Sequence, residues 1–225
     1  MSNRRNTFFI VTIVIFGCII MGWVDSVLSP NYRTKSIIKL FTFLLLPIGF
    51  IIIKKDITLK DLFKIDKRSI KSSLILGVGV YFLIVFGYLL LQPLFDFSNI
   101  TGALENNIGV NKNNFIYVAF YISFFNSLLE EFFFRGFAYL TLKRFTSRIF
   151  ANIFSATAFS IYHFGIMKSW FSPILYFLLI ISLFIAGLLF NWLNQKKNNI
   201  YPSWFVHIFA NLGINTIGLI LFDII

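Results

Sequence analysis

Seven stretches of this chain are so apolar, and so close to the ~20 residues that cross a bilayer, that they constrain the fold before any other feature. They run over about 7–24, 37–53, 74–95, 115–140, 149–165, 171–193 and 201–222. In hydrocarbon each backbone N–H and C=O must find its partner within the protein, so runs of this length are expected as helices. Composition agrees, because 58% of the 225 residues are hydrophobic and only 13% are charged. The expected fold is all-α: a polytopic membrane protein of about seven (six to eight) transmembrane helices. It forms one integral domain over residues 1–225, with no fixed-period repeat and no low-complexity linker.

The net charge of +11 would suggest nucleic acid in a soluble protein. Here the basic residues fall in short connections, where they orient the spans by the positive-inside rule. The connection 54–72 carries Lys54, Lys55, Lys60, Lys64, Lys67, Arg68 and Lys71; later ones carry Lys143, Arg144 and Arg148, then Lys196 and Lys197. The intervening connections hold only Lys112 and Lys168. This alternation places the amino terminus in the cytoplasm of a multi-pass cell-membrane protein. Arg33, Lys35 and Lys39 break the pattern, since the same topology puts them outside. Nucleic acid is not an expected partner; the bilayer and a membrane-embedded or membrane-associated peptide or protein are. Nothing in the sequence sets an oligomeric state.

The first span follows Arg4 and Arg5 without a small-residue cleavage site, and more spans come after it, so an uncleaved anchor is expected. Cys18 is the lone cysteine and reads as a small apolar packing residue. In 54–72, charge alternates with Ile57, Leu59, Leu62, Phe63 and Ile65, which suits either a short amphipathic helix on the inner leaflet or a solvated loop. Residues 98–114, rich in asparagine and glycine, read as a flexible outer loop.

Beyond that loop lies all the polar chemistry. The chain has two histidines and three glutamates, and four of these five residues fall inside apolar segments. An ionisable group at membrane depth costs ~2.5–3.5 kcal/mol or more and marks a functional site by default. Glu130 and Glu131 adjoin, with Arg135 four residues on; His163 follows Phe159 by four, and Asn211 follows His207 by four. Residues four apart share a helix face, so Arg135 pairs with Glu131. Glu130, rotated by roughly 100°, is left available for proton transfer. A glutamate with a histidine can activate water, directly or through a shared metal. A His/Asn pair can hold an oxyanion on a carbonyl. Together these groups describe amide hydrolysis.

Glu130-Glu131-x-x-x-Arg135, Phe159-x-x-x-His163 and His207-x-x-x-Asn211 resemble the three ordered motifs of the CPBP intramembrane proteases, also called the Abi family (CAAX proteases and bacteriocin-processing enzymes). The resemblance covers about 115–215, which would be the catalytic core. It implies a site inside a helical bundle and cleavage of a peptide bond in a membrane-associated substrate. Glu130 and His163 would activate the water, His207 and Asn211 would hold the oxyanion, and Glu131 and Arg135 would shape the site. Where a metal is used, Glu130, His163 and His207 would be its ligands, with zinc the candidate; a metal-free, glutamate-activated water is the other reading. The Lys-, Asn-, Ile- and Phe-rich composition points to a low-G+C bacterium. In such a source the resemblance implies peptide or bacteriocin processing, self-immunity or membrane-protein maturation rather than cleavage of prenylated CAAX proteins.

Two other readings compete. A non-catalytic membrane immunity or scaffolding protein would retain the fold and use these residues for packing. An ion-coupled transporter would show pseudo-symmetric halves, whereas the polar residues here lie in one half. Depth also constrains the enzymatic reading. At about 1.5 Å per residue, the span boundaries put Glu130 and His207 nearer the inner surface and His163 nearer the outer. Convergence then requires a shorter, tilted or re-entrant fifth helix, or a break at Gly136 that leaves 137–148 interfacial.

Overall fold

A computed structural model describes residues 2–54, 59–167 and 171–225, which contain helices and no strand. In chain order the helices are α1 (Asn3–Leu28), α2 (Tyr32–Ile53), α3 (Lys67–Leu91), α4 (Asn99–Ile108), α5 (Phe115–Arg144), α6 (Arg148–Met167), α7 (Pro173–Gln195) and α8 (Tyr201–Leu221). All but α4 and α6 are long and apolar enough to cross a membrane. The chain is therefore a multi-pass, all-α membrane protein. α6 corresponds to the fifth expected span; Asn152, Ser155, Ser160 and His163 dilute its apolar character.

α5 is the centre of the bundle. Every residue from Glu131 to Leu142 is buried, as expected of a helix that is apolar all round. Around it pack α1, α2, α6, α7 and α8, while α3 lies along the far side of α8. Large apolar side chains such as Phe8, Phe16, Ile19, Leu83 and Leu90 remain exposed on the outer helices, as lipid-facing surfaces require. Without a hydrophobic force between helices in lipid, close approach depends on small residues. A Cβ on Gly187 of α7 would lie 2.9 Å from the Ala156 backbone of α6, so only glycine admits this contact.

The ends of the bundle are tied by polar contacts. Thr7 Oγ1 donates to the Phe145 carbonyl (3.2 Å), Lys143 Nζ to Asn198 Oδ1 (2.7 Å), and Lys197 pairs with Asp66 (2.9 Å). The amino terminus and three basic connections thus share one end. At the other, Lys112 Nζ donates to the Asp223 carbonyl (2.6 Å) near the carboxyl terminus. Asp66 also caps α3, accepting from the Ser69 amide at 2.9 Å. The Lys197 ammonium, then the Ser69 N–H, hold its carboxyl down to about 2.

Two local expectations change. Residues 98–114 are not an unstructured loop: they contain α4, closed at Gly109 (φ +70°), whose amide donates to the Glu105 carbonyl while that of Val110 reaches Leu104. The region 54–72 is not one amphipathic helix either. It holds a single turn, Leu59–Leu62, and from Lys67 onward it already belongs to α3, because Asp66 starts a new helix there. Lys55 and Ile57 of that expectation, and Lys168 of the later connection, lie outside the described residues.

Candidate active site

The carboxylate pair sits in the middle of α5 at a change of helical geometry. From Glu131 to Thr141 the helix widens to i→i+5 hydrogen bonding, a form concentrated at functional sites. Gly136 does not end the helix. Leu62 and Ile200 pack against it, and the Thr141 hydroxyl donates to its carbonyl at 2.9 Å. Residues 137–142 therefore stay buried inside the bundle rather than becoming interfacial, and only from Lys143 does the chain reach the basic end.

The depth problem resolves through the connection 145–147, which folds α5 back onto α6. Glu130 lies 14 residues before Arg144 and His163 lies 15 after Arg148, so both stand at one height above the shared turn. The wide stretch shortens the rise of α5 per residue, which helps Glu131 meet His207, only six residues into α8. Neither a re-entrant fifth helix nor a break in the fourth is needed.

Glu131 is the closed member of the pair. Its Oε1 accepts from His207 Nδ1 at 2.9 Å, its Oε2 accepts from the Ser203 hydroxyl, and Arg135 Nε lies 3.5 Å from Oε2. Ser203 is itself held by Asn194, whose Nδ2 donates to its Oγ at 2.6 Å and whose Oδ1 accepts from its amide at 3.0 Å. Arg135 is fully buried, its guanidinium 3.9 Å from the centre of the Phe159 ring and 4.9 Å from that of Phe190. A ring face attracts a cation, and those two rings also flank the imidazole of His207.

Glu130 is asymmetric. Oε1 accepts from Lys39 Nζ at 2.5 Å and from Asn126 Nδ2 at 2.9 Å, while Lys39 Nζ also donates to Asn126 Oδ1 at 2.6 Å. Oε2 instead faces two imidazoles, with His163 Nε2 at 3.9 Å and His207 Nε2 at 3.8 Å. His163 Nδ1 lies 2.8 Å from the Phe159 carbonyl. A carbonyl only accepts, so Nδ1 carries the proton there; the bond to a carboxylate implies the same for His207. In the neutral form of each ring, Nε2 then presents a lone pair toward Oε2. His163 is the most open member, with 17% of its side chain exposed against 4% for Glu130.

The structure brings Glu130, Glu131, Arg135, His163 and His207 into one cluster. Asn211, one turn beyond His207, donates from Nδ2 to the Ile122 carbonyl of α5 at 3.2 Å. Trp204 and Asn215 on the same helix donate to the Phe124 and Ala119 carbonyls, so α8 is laced to the first half of α5 along its length. Glu130 is not the unpaired carboxylate expected from the motif, because α2 delivers Lys39 to it. Lys39, Asn126 and Ser203 are the residues the motif reading missed. The signals were present: Lys39 falls in an apolar run where the topology wants no positive charge, Asn126 is four residues before Glu130, and Ser203 is four before His207.

The metal expectation meets a different environment. Among the described residues no group of three or more His, Cys, Asp or Glu is placed to hold a metal ion. A zinc ion would stand about 2.0–2.2 Å from each nitrogen and oxygen donor. The separations of 3.8 and 3.9 Å around Oε2 are wide for donors sharing one tetrahedral ion. The Lys39 ammonium moreover already supplies the positive charge at this carboxylate. Glu130, His163 and His207 as they stand do not fit a metal, and no step is routed through one.

A family model described as Type II CAAX prenyl endopeptidase Rce1-like matches residues 112–213. No curated protein and no solved structure matches the chain significantly. The matched segment runs from the approach to α5 to the second half of α8 and holds all three motifs; α1 to α3, with Lys39, lie outside it. Over residues 112–213 this membrane protein is thus similar to the Rce1-like family of CAAX prenyl endopeptidases.

Proposed function

We propose that the protein is an intramembrane endopeptidase that hydrolyses a peptide bond in a membrane-associated protein or peptide. The observation that carries the reading is the convergence of three lone-pair acceptors, Glu130 Oε2 and the Nε2 atoms of His163 and His207, inside the bundle. Separations of 3.8–3.9 Å suit a bridging water rather than direct hydrogen bonds.

Glu130 Oε2 and His163 Nε2 accept from the two hydrogens of one water. As the water oxygen bonds to the carbonyl carbon, Oε2 takes a proton and the C=O π pair moves onto oxygen. The proton passes from Oε2 to His207 Nε2 through a bridging water, since the two atoms stand 3.8 Å apart. The resulting imidazolium donates to the oxyanion, and Glu131 offsets its charge through Nδ1. Asn211, oriented by its bond to the Ile122 carbonyl, offers its second amide hydrogen to the same oxygen. When the intermediate collapses the C–N bond breaks, and the leaving nitrogen takes the proton from His207. Water is consumed, an acid and an amine are released, and Glu130 is again a carboxylate. The exposed edge of His163 is the entry for substrate.

The end that gathers Lys143, Lys197 and the amino terminus is assigned to the cytoplasmic face of the cell membrane by the positive-inside rule. Peptide or bacteriocin processing, or self-immunity, is the proposed setting.

The test uses purified protein in vesicles with a total membrane-protein fraction in 18O-water. New carboxyl ends carrying 18O are expected with the wild type. In Glu130→Gln they should fall by roughly 10²–10⁴-fold, the usual contribution of a positioned general base. Equal labelling by the variant would remove Glu130 from catalysis. Absence of labelled ends with the wild type would leave a scaffolding protein.

A further inference from the structure

Water activation engages only Oε2 of Glu130. Oε1 is held from two directions, by Lys39 Nζ at 2.5 Å and Asn126 Nδ2 at 2.9 Å, and these two residues are bonded to each other at 2.6 Å. The three side chains close a triangle. Lys39 is itself buried, 4% exposed, and its ammonium lies 4.9 Å from the centre of the Tyr162 ring. Burying a lysine costs several kcal/mol unless it is paired. A mid-helix lysine in an apolar run therefore calls for a specific partner, and Glu130 is that partner.

Charge and orientation both follow. Two adjacent buried carboxylates would repel each other and would favour sharing a proton. Each has its own cation instead, Arg135 for Glu131 and Lys39 for Glu130. A free carboxylate exposes either oxygen by rotating about its last bond. With Oε1 clamped, Oε2 alone stays turned toward the two imidazoles. The clamp also holds Oε2 beyond direct hydrogen-bond reach of either ring, so the glutamate cannot collapse onto a histidine and close the space needed by the water. Two of the three N–H donors of Lys39 are engaged by Glu130 and Asn126, and the third side of the ammonium faces a ring. That saturation makes it a fixed charge rather than a proton donor.

We propose that Lys39, with Asn126, is a positioning residue for the base: it clamps Oε1 of Glu130 so that Oε2 is presented, charged and correctly turned, to the attacking water. Lys39 comes from α2, outside the segment the family model covers, and Asn126 from α5 inside it, so the cationic half of the clamp is supplied by the amino-terminal helices. The inference rests on the endopeptidase reading.

The experiment compares the wild type with Lys39→Met, Lys39→Arg and Asn126→Leu in the vesicle assay, following labelled ends against the concentration of added membrane-protein fraction. Lys39→Met should lower kcat by roughly 10²-fold or more, as expected for misorientation of a reacting group, with KM within about threefold. Lys39→Arg keeps the charge and the donors and should recover most of the loss; Asn126→Leu should lower kcat by less than Lys39→Met. A purely structural role would instead move the melting temperature of the detergent-solubilised protein in parallel with activity. Where Lys39→Met does not fold, Lys39→Arg and Asn126→Leu decide. Undiminished kcat in Lys39→Met, or in Asn126→Leu where only that variant folds, overturns the clamp while leaving the endopeptidase reading intact. So does loss in Lys39→Arg equal to that in Lys39→Met. A wild type that makes no labelled ends overturns both.

Discussion

Glu130 and Glu131 are neighbours in sequence and opposites in environment. Glu131 is enclosed: a hydroxyl, an imidazole and a guanidinium occupy its two oxygens, and none of its surface is exposed. Glu130 has one oxygen clamped and the other facing two rings across gaps of 3.8 and 3.9 Å. One helix thus offers an enclosed carboxylate and, a single residue earlier, one with an oxygen turned toward two imidazoles. The 100° rotation between successive residues separates the two, and different partner helices, α8 and α2, complete them.

The two glutamates should therefore fail differently. The largest effect on the fold belongs to Glu131→Gln, which leaves Arg135 buried beside two aromatic rings without its counter-charge. Breaking a buried pair costs about 3–5 kcal/mol, so the melting temperature of solubilised protein should fall steeply, with activity falling alongside. Glu130→Gln should leave the melting temperature much closer to wild type while removing cleavage. Similar melting losses in the two variants would erase the distinction. Ser203→Ala is smaller, because it strands the Asn194 amide and one oxygen of Glu131. The loss of about 1–3 kcal/mol expected for an unsatisfied buried group should be visible in thermal melts, with reduced cleavage that is not abolished.

The smallest effect lies away from both carboxylates, at the basic end of the bundle. The Asp66 carboxyl is held down to about 2 from an ordinary 3.8, chiefly by Lys197. A depressed carboxyl contributes stability that is fully present above its unfolded value and is lost as pH falls through its folded one. Acid melts of the wild type should therefore weaken between about pH 4 and 2, and Asp66→Asn, which keeps a capping oxygen but loses the charge, should flatten that window slightly. An unchanged acid limb would show that the Lys197 contact does not tie α3 to the α7–α8 connection.

Much of this was legible in the residues because it depends on local rules. Helices were expected wherever apolar runs reached bilayer length, and the runs at 7–24, 37–53 and 171–193 lie within α1, α2 and α7 or nearly so. The contact of Glu131 with Arg135 followed from their four-residue spacing. Depth is not legible from hydropathy, because height in the bundle is set by the turn at 145–147. The partner of Lys39 is not legible in the sequence, because composition does not say which buried carboxylate lies across from α2. Residues 98–114 looked like a loop because asparagine and glycine are turn formers, yet the stretch before Gly109 carries a helix.

What the sequence determined by itself is the class of molecule and the identity of its rare ionisable residues. Membrane crossing is a property of one segment at a time, and hydrocarbon leaves each segment a single way to satisfy its backbone. What only the tertiary structure decided is which of those residues meet, and at which atoms. Side chains 91 positions apart, such as Lys39 and Glu130, share no local rule. Their contact exists because α2 and α5 pack side by side, and that packing is decided by the whole bundle.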